Sequence, residues 1–198
     1  MENKLLSIKF KTKYRCFKKG ATIEFKDNLT LLVGDQGVGK STILKTLQNF
    51  NNHKDTIAVN TSGEVSTLAF DTEKDNPRMQ PGGIEKDALY RVSVAFASHG
   101  ETILPLMEHI TTEKDRLIMI DEPESGLSIR SQYKLVKFFK KAVKNGCQLL
   151  VATHSMAVIG SFEEVFNLEI MEYQSSQDFI NGQKKAKRKK NAKKKRVK

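Results

Sequence analysis

Apolar residues along this chain fall into two kinds of run. Short unbroken ones occupy 29–33 (LTLLV), 116–120 (RLIMI) and 147–152 (CQLLVA), the pattern of strands buried on both faces. Between them lie runs at helical spacing. Ile43, Leu44 and Leu47 mark a helix over 40–50. Ile103, Leu104, Leu106, Met107 and Ile110 mark one opening at Ser98, where Pro105 implies a kink or a late start. Leu135, Val136, Phe138, Phe139 and Val143 mark one over 128–145, stopped by Asn145-Gly146.

Weaker signals complete the series. Residues 4–10 and 21–25 read as short strands, with Leu6, Ile8 and Phe10 alternating as in a sheet with one covered face. A polar turn at 51–55 precedes strands at 56–59 and 65–70, and 87–97 fits helix or strand, with helix preferred. A short helix and a last strand over 164–171 finish a body of residues 1–173. Apolar strands alternating with amphipathic helices place the chain in the α/β class, a mostly parallel sheet flanked by helices. The pattern gives out at 71–86 (DTEKDNPRMQPGGIEK), a long loop or small insertion facing the site. Residues 174–183 (QSSQDFINGQ) read as a polar linker.

Charge then changes the picture. The 198 residues carry a net +11, but the last fifteen, 184–198, hold 11 Lys and Arg and no acid. Removing them from the 34 basic residues leaves 23, matched by 23 acidic ones. The body is neutral, so the high pI says nothing about a basic groove on it. The tail is too charged to fold on itself and suits polyanions: nucleic-acid backbones, anionic lipid or an import receptor. Two cysteines far apart, Cys16 and Cys147, argue against a disulfide framework and for a reducing, cytoplasmic setting. No apolar run approaches the length of a membrane span, and the N-terminus lacks a signal-peptide core.

Candidate chemistry sits at three strand ends. Strand 29–33 runs into Gly34-Asp35-Gln36-Gly37-Val38-Gly39-Lys40-Ser41, followed by Thr42 and a helix. This fits G-x-x-x-x-G-K-[ST], the phosphate-binding P-loop, in the strand–turn–helix context the motif needs. Gly34, Gly37 and Gly39 allow successive backbone N–H groups to point inward, Lys40 reaches the β- and γ-phosphates of ATP, and the Ser41 hydroxyl ligates Mg²⁺. Strand 116–120 ends in Asp121-Glu122-Pro123-Glu124, a Walker B pattern. There Asp121 partners Ser41 at Mg²⁺ and Glu122 orients the attacking water. Strand 147–152 ends at Thr153-His154-Ser155, where His154 can donate to a phosphate oxygen. Ligands of open α/β sheets gather at such carboxyl ends. Upstream, Tyr14 is a candidate for stacking on adenine, with plain hairpin packing as the alternative for both Tyr14 and Phe17.

Taken together, GDQGVGKST, SHGE (Ser98 to Glu101), LIMIDEPESGLS and LLVATHS resemble the ABC-type ATPase superfamily over roughly residues 29–160. The resemblance implies a P-loop NTPase fold with a reduced helical subdomain, given the short interval from Ser41 to Ser98. SHGE takes the place of the signature motif, with Ala97, His99 and Glu101 where Leu, Gly and Gln are usual. SGLS takes that of the D-loop, with Ser128 for the usual Asp. His154 matches the switch histidine, and Gln80, Asp71 or Glu73 takes the place of the Q-loop residue. The implied mechanism is a head-to-tail, ATP-dependent homodimer in which Ser98 and the Gly100 backbone act in trans on the partner's γ-phosphate. Two roles follow: a non-transport ATPase working with nucleic acid or a partner effector, or the ATP-binding subunit of a membrane transporter with its permease on another chain. A nucleotide-bound switch that turns over little has no need of Glu122.

Overall fold

The computed structural model describes residues 3–26, 28–71 and 103–185. Within them two sheets enclose one helix. The smaller is antiparallel, ordered β2-β1-β4 from β1 (Leu5–Phe10), β2 (Thr22–Glu24) and β4 (Ile57–Thr61). The larger contains β3 (Leu29–Val33), β5 (Thr67–Asp71), β6 (Leu117–Asp121), β7 (Gln148–Ala152), β8 (Glu164–Asn167) and β9 (Glu172–Ser175). Its order is β5-β6-β7-β3-β8-β9, parallel as far as β8, with β9 antiparallel at the edge. The expected mostly parallel sheet flanked by helices is present.

The unbroken apolar runs are explained by packing on both faces. Leu31, Val33, Ile118, Ile120, Leu149 and Val151 face one core, shared with α2 (Ile103–Ile110), α3 (Ile129–Lys144) and α4 (Met156–Ile159). Their neighbours Leu32, Leu117, Met119, Leu150 and Ala152 face a second core, shared with α1 (Lys40–Gln48) and the small sheet. Period-two geometry forces this division. It also brings every parallel strand of this group to its carboxyl end on the same edge, where the polar motifs begin.

Gln148 fastens the two sheets at the opposite edge. It opens β7, is 2% exposed, accepts from the Leu5 amide at 2.8 Å, and donates to the carbonyls of Leu5 at 2.8 Å and Lys26 at 2.7 Å. Buried polar groups persist where all their bonds are made.

The structure departs from the sequence reading in four places. In β1 the buried residue is Leu5, with Leu6 half-exposed, because the register with β4 shifts between Leu5 and Ser7; such an irregularity resets the alternation. The expected turn at 51–55 is largely a 3-10 helix, Phe50–His53. The expected single strand over 164–171 is cut at Asn167; the chain reverses through 168–171, with Met171 at φ 58°, and returns as β9. The expected linker over 174–183 is the end of β9 and most of a helix, α5, over 176–185. Ser175 starts it: its hydroxyl accepts from the Asp178 amide at 3.0 Å and donates to the Asp178 carboxylate at 2.7 Å. Phe179, 5% exposed, and Ile180 seat it on the first core. The expected insertion at 72–86, the segment 87–97, the opening of the helix at Ser98, the reduced helical subdomain and the tail beyond 185 lie outside the described residues.

Phe179→Ala should therefore destabilise the protein by about 3 kcal/mol, the usual size of a buried Phe deletion, read from urea unfolding. A solvated linker at this position would give a change near zero.

Candidate functional site

The loop after β3 is shaped by glycine. Gly34, Gly37 and Gly39 take φ values of 136°, 85° and 107°, which side-chain-bearing residues avoid. At Gly39 space adds a second reason. A Cβ there would lie 2.5 Å from the Cys16 sulfur and 2.7 Å from the Phe17 ring, so the hairpin upstream packs against the loop where its side chain is missing. Gly39 also precedes α1 without any side-chain cap, leaving the first-turn amides of Lys40, Ser41 and Thr42 to an outside acceptor.

Lys40 is 5% exposed and donates to the carbonyls of Gly34 and Asp35, each at 3.0 Å. Burial pushes its ammonium below the usual lysine range, opposed by the carboxylates of Glu122, Asp121, Asp35 and Glu124. The next residue, Ser41, donates from its hydroxyl to Asp121 Oδ1 at 3.0 Å. The register of β6 on β7 sets Asp121 beside Ala152, and the Glu122 amide continues the ladder to the Ala152 carbonyl at 2.9 Å. Glu122 then turns sharply, at φ 47°, a conformation costly for a residue with a side chain and found where surrounding structure enforces it. Its Oε1 lies 3.6 Å from His154 Nε2, within ion-pair reach and beyond hydrogen bonding.

The structure thus brings Lys40, Ser41, Asp121, Glu122 and His154 to one edge. Asp35, Gln36, Gly37 and Val38 form the rest of the loop, and Asp35 and Gln36 are exposed. Tyr14 lies on the neighbouring hairpin, its ring 5.5 Å from that of His53 and under the Arg15 guanidinium at 5.7 Å. Of the three Q-loop candidates, Asp71 ends β5 in register with Asp121; Glu73 and Gln80 lie outside the described residues, as do Ser98 and Gly100.

Three supports escaped the sequence reading. Glu124 Oε1 accepts from the amides of His154 at 2.6 Å and Ser155 at 3.0 Å, so the second acid of DEPE holds the turn that carries the histidine. Its Oε2 is buried with no hydrogen-bond partner among the described residues. Gln132 links the same turn to the segment after β6, accepting from the Ser155 hydroxyl at 2.7 Å and donating to the Leu127 carbonyl at 3.1 Å. Glu169, in the β8–β9 reversal, accepts from the Asp35 amide at 2.9 Å and is itself fixed by Asn167 Oδ1, which accepts from its amide at 2.9 Å. Ser128 has a structural use: its side chain caps α3, accepting from Ser131 N at 3.2 Å.

Comparison with known proteins agrees with this geometry. A family profile described as "AAA ATPase domain" matches residues 5–81. A second, described as "AAA domain, putative AbiEii toxin, Type IV TA system", matches residues 103–160. Among solved structures, CbiO1 from Clostridium perfringens, part of the ABC transporter complex CbiONQ, superposes with a TM-score of 0.55 at 17% identity, covering 99% of this chain and 96% of its own. A nucleotide-free ATP-binding cassette from an ABC transporter gives 0.54 at 14% identity, covering 83% and 87%. UvrA2 from Deinococcus radiodurans gives 0.56 at 12% identity, covering 82% of this chain and 35% of UvrA2. No curated protein sequence matches the chain.

The chain has the fold of ABC-type ATPase domains. The expectation drawn from GDQGVGKST, DEPE and ATHS is met at that level. Among the described residues, no helix is long and apolar enough to cross a membrane.

The Glu124 contact has a direct check. Glu124→Ala frees the His154 amide, which loses about 1–3 kcal/mol of satisfaction, and leaves the Ser155 amide its bond to Thr153 Oγ1 at 3.0 Å, so hydrogen exchange at His154 should accelerate by about tenfold or more and at Ser155 by less. Glu124→Gln keeps the accepting oxygen and should retain most of the protection.

Proposed function

We propose that this ABC-type ATPase domain binds ATP with Mg²⁺ and hydrolyses it, as a non-transport enzyme working with nucleic acid or a partner effector through ATP-driven dimerisation. The observation that carries this reading is the convergence of Lys40, the Ser41–Asp121 pair, Glu122 and His154 on one sheet edge.

The residues fit the ligands. Glycine-turned amides and an uncapped helix start accept phosphate oxygens, and Lys40 exchanges the Gly34 and Asp35 carbonyls for them. Four carboxylates surround one ammonium, a balance that repels a triphosphate unless a divalent cation joins it. Ser41 and Asp121, already 3.0 Å apart, would hold that Mg²⁺. When bound it neutralises developing charge on the phosphates. Glu122, half-exposed and held at an unusual backbone angle, orients and deprotonates the attacking water. His154, kept in place through Glu124, donates to the γ-phosphate. Tyr14 stacks on adenine. Ser98 and Gly100 of a second copy complete the site in trans.

The basic run at 184–198 supports nucleic acid as the partner, and two free cysteines, one exposed, support a reducing, cytoplasmic setting. The transporter-subunit reading is favoured by one observation, the near-complete mutual coverage with CbiO1. Co-purification of a permease from the native host decides for it.

Lys40→Ala should lose nucleotide binding, measured by titration with a fluorescent ATP analogue. Glu122→Gln should keep ATP and slow release of phosphate by about 10²-fold or more, the usual contribution of a positioned base, while a dimer accumulates in light scattering. A monomer under ATP and Mg²⁺ counts against completion in trans.

Removing residues 184–198 should weaken sequence-independent DNA and RNA binding at physiological salt by about tenfold or more and leave ATP affinity unchanged. Unaltered nucleic-acid affinity defeats the role given to the tail.

A further inference from the structure

The hairpin over 11–20 carries Lys11, Lys13, Arg15, Lys18 and Lys19 and no acidic residue. All five are exposed, and none forms an ion pair with a carboxylate among the described residues. Taking these five from the 23 basic residues of 1–183 leaves 18 against 23 acidic ones. The neutral total therefore conceals a positive patch at this hairpin.

The patch has a defined shape. Tyr14 and Phe17 exchange backbone hydrogen bonds at 3.0 and 2.9 Å. Phe17, 4% exposed, stacks on Phe10 at 4.3 Å. Lys11 Nζ donates to the Lys54 carbonyl at 2.8 Å, and Arg15 takes φ 50° at the tip. Like charges held this closely repel one another, and a polyanion relieves that repulsion. The five exposed cations offer the phosphates of a nucleic-acid backbone a cluster of charge.

The hairpin also bears on the P-loop. The Cys16 thiol donates to the Val38 carbonyl at 3.3 Å, and Cys16 and Phe17 fill the space beside Gly39, the residue before Lys40. Those two side chains join the hairpin to the phosphate loop.

We propose that this hairpin is a nucleic-acid-binding surface, separate from the C-terminal tail, through which a bound strand acts on the P-loop. The proposal deepens the nucleic-acid reading of the ATPase and rests on it for the class of partner.

Cys16 provides the test, since Cys147 is buried and only Cys16 is exposed. The full-length protein is alkylated with a thiol reagent in the absence of nucleotide, with and without near-saturating duplex DNA or single-stranded RNA. Occupancy near nine-tenths should slow Cys16 labelling by about tenfold. The variant Lys13→Gln/Lys18→Gln/Lys19→Gln, which leaves the packed residues untouched, should lose this protection while the tail still binds. Its slope of log affinity against log salt should be shallower by about 2–3, one unit per lost phosphate contact. Nucleic acid that binds without slowing Cys16 labelling confines binding to the tail and overturns the proposal. Protection by anionic phosphatidylglycerol vesicles or polyglutamate, with none from nucleic acid, also overturns it. ATP affinity and phosphate release, measured on the same samples, report separately on the ATPase reading.

Discussion

The Lys40 ammonium, nearly buried and bound to the carbonyls of its own loop, is the constraint around which the domain is arranged. A cation can be withdrawn from water only where carbonyls and carboxylates replace the water. Gly34 supplies one carbonyl by turning at φ 136°, and β6 supplies Asp121 and Glu122 by lying two strands from β3 in the sheet. The order β6-β7-β3 is therefore an electrostatic arrangement as well as a packing one. It brings Asp121 and Glu122 to act on one amine and sets His154 3.6 Å from Glu122.

How much of this was legible in the sequence depended on the range of the interaction. GDQGVGKS, LIMIDE and LLVATH could be read directly because each is a buried strand followed at once by its polar end, and local pattern determines both. Glu124 could not, because its bonds go to amides thirty residues away, although its place in DEPE drew notice. Glu169 gave no signal at all; only the reversal at 168–171 brings it to Asp35. Local cues were also misweighed. Ser175 and Asp178 form an S-x-x-D pair, a helix-start signature, yet only Phe179 and Ile180 supply apolar weight to α5, too few for periodicity to register. In β1 the alternation held at Ile8 and Phe10 and failed at Leu6, where Leu5 is buried instead, since a register irregularity leaves no mark in composition.

Charge shows the same division between sum and placement. Equal numbers of acids and bases in residues 1–183 say nothing of where the charges sit. Folding sorts them: four carboxylates gather near Lys40, while five cations occupy the adjoining hairpin. Groups of both signs thus lie near the P-loop, carboxylates acting on Lys40 and cations on the hairpin that packs against Gly39.

Gln148 has a further consequence, for tolerance to substitution. Its position requires one acceptor and two donations from a side chain long enough to reach two separate backbone segments. Glutamate lacks the donors, methionine lacks both functions, and asparagine falls short by a methylene. A single carboxamide far from the chemistry is thereby among the least replaceable residues of the chain, and a survey of viable variants should find it nearly as intolerant as Lys40.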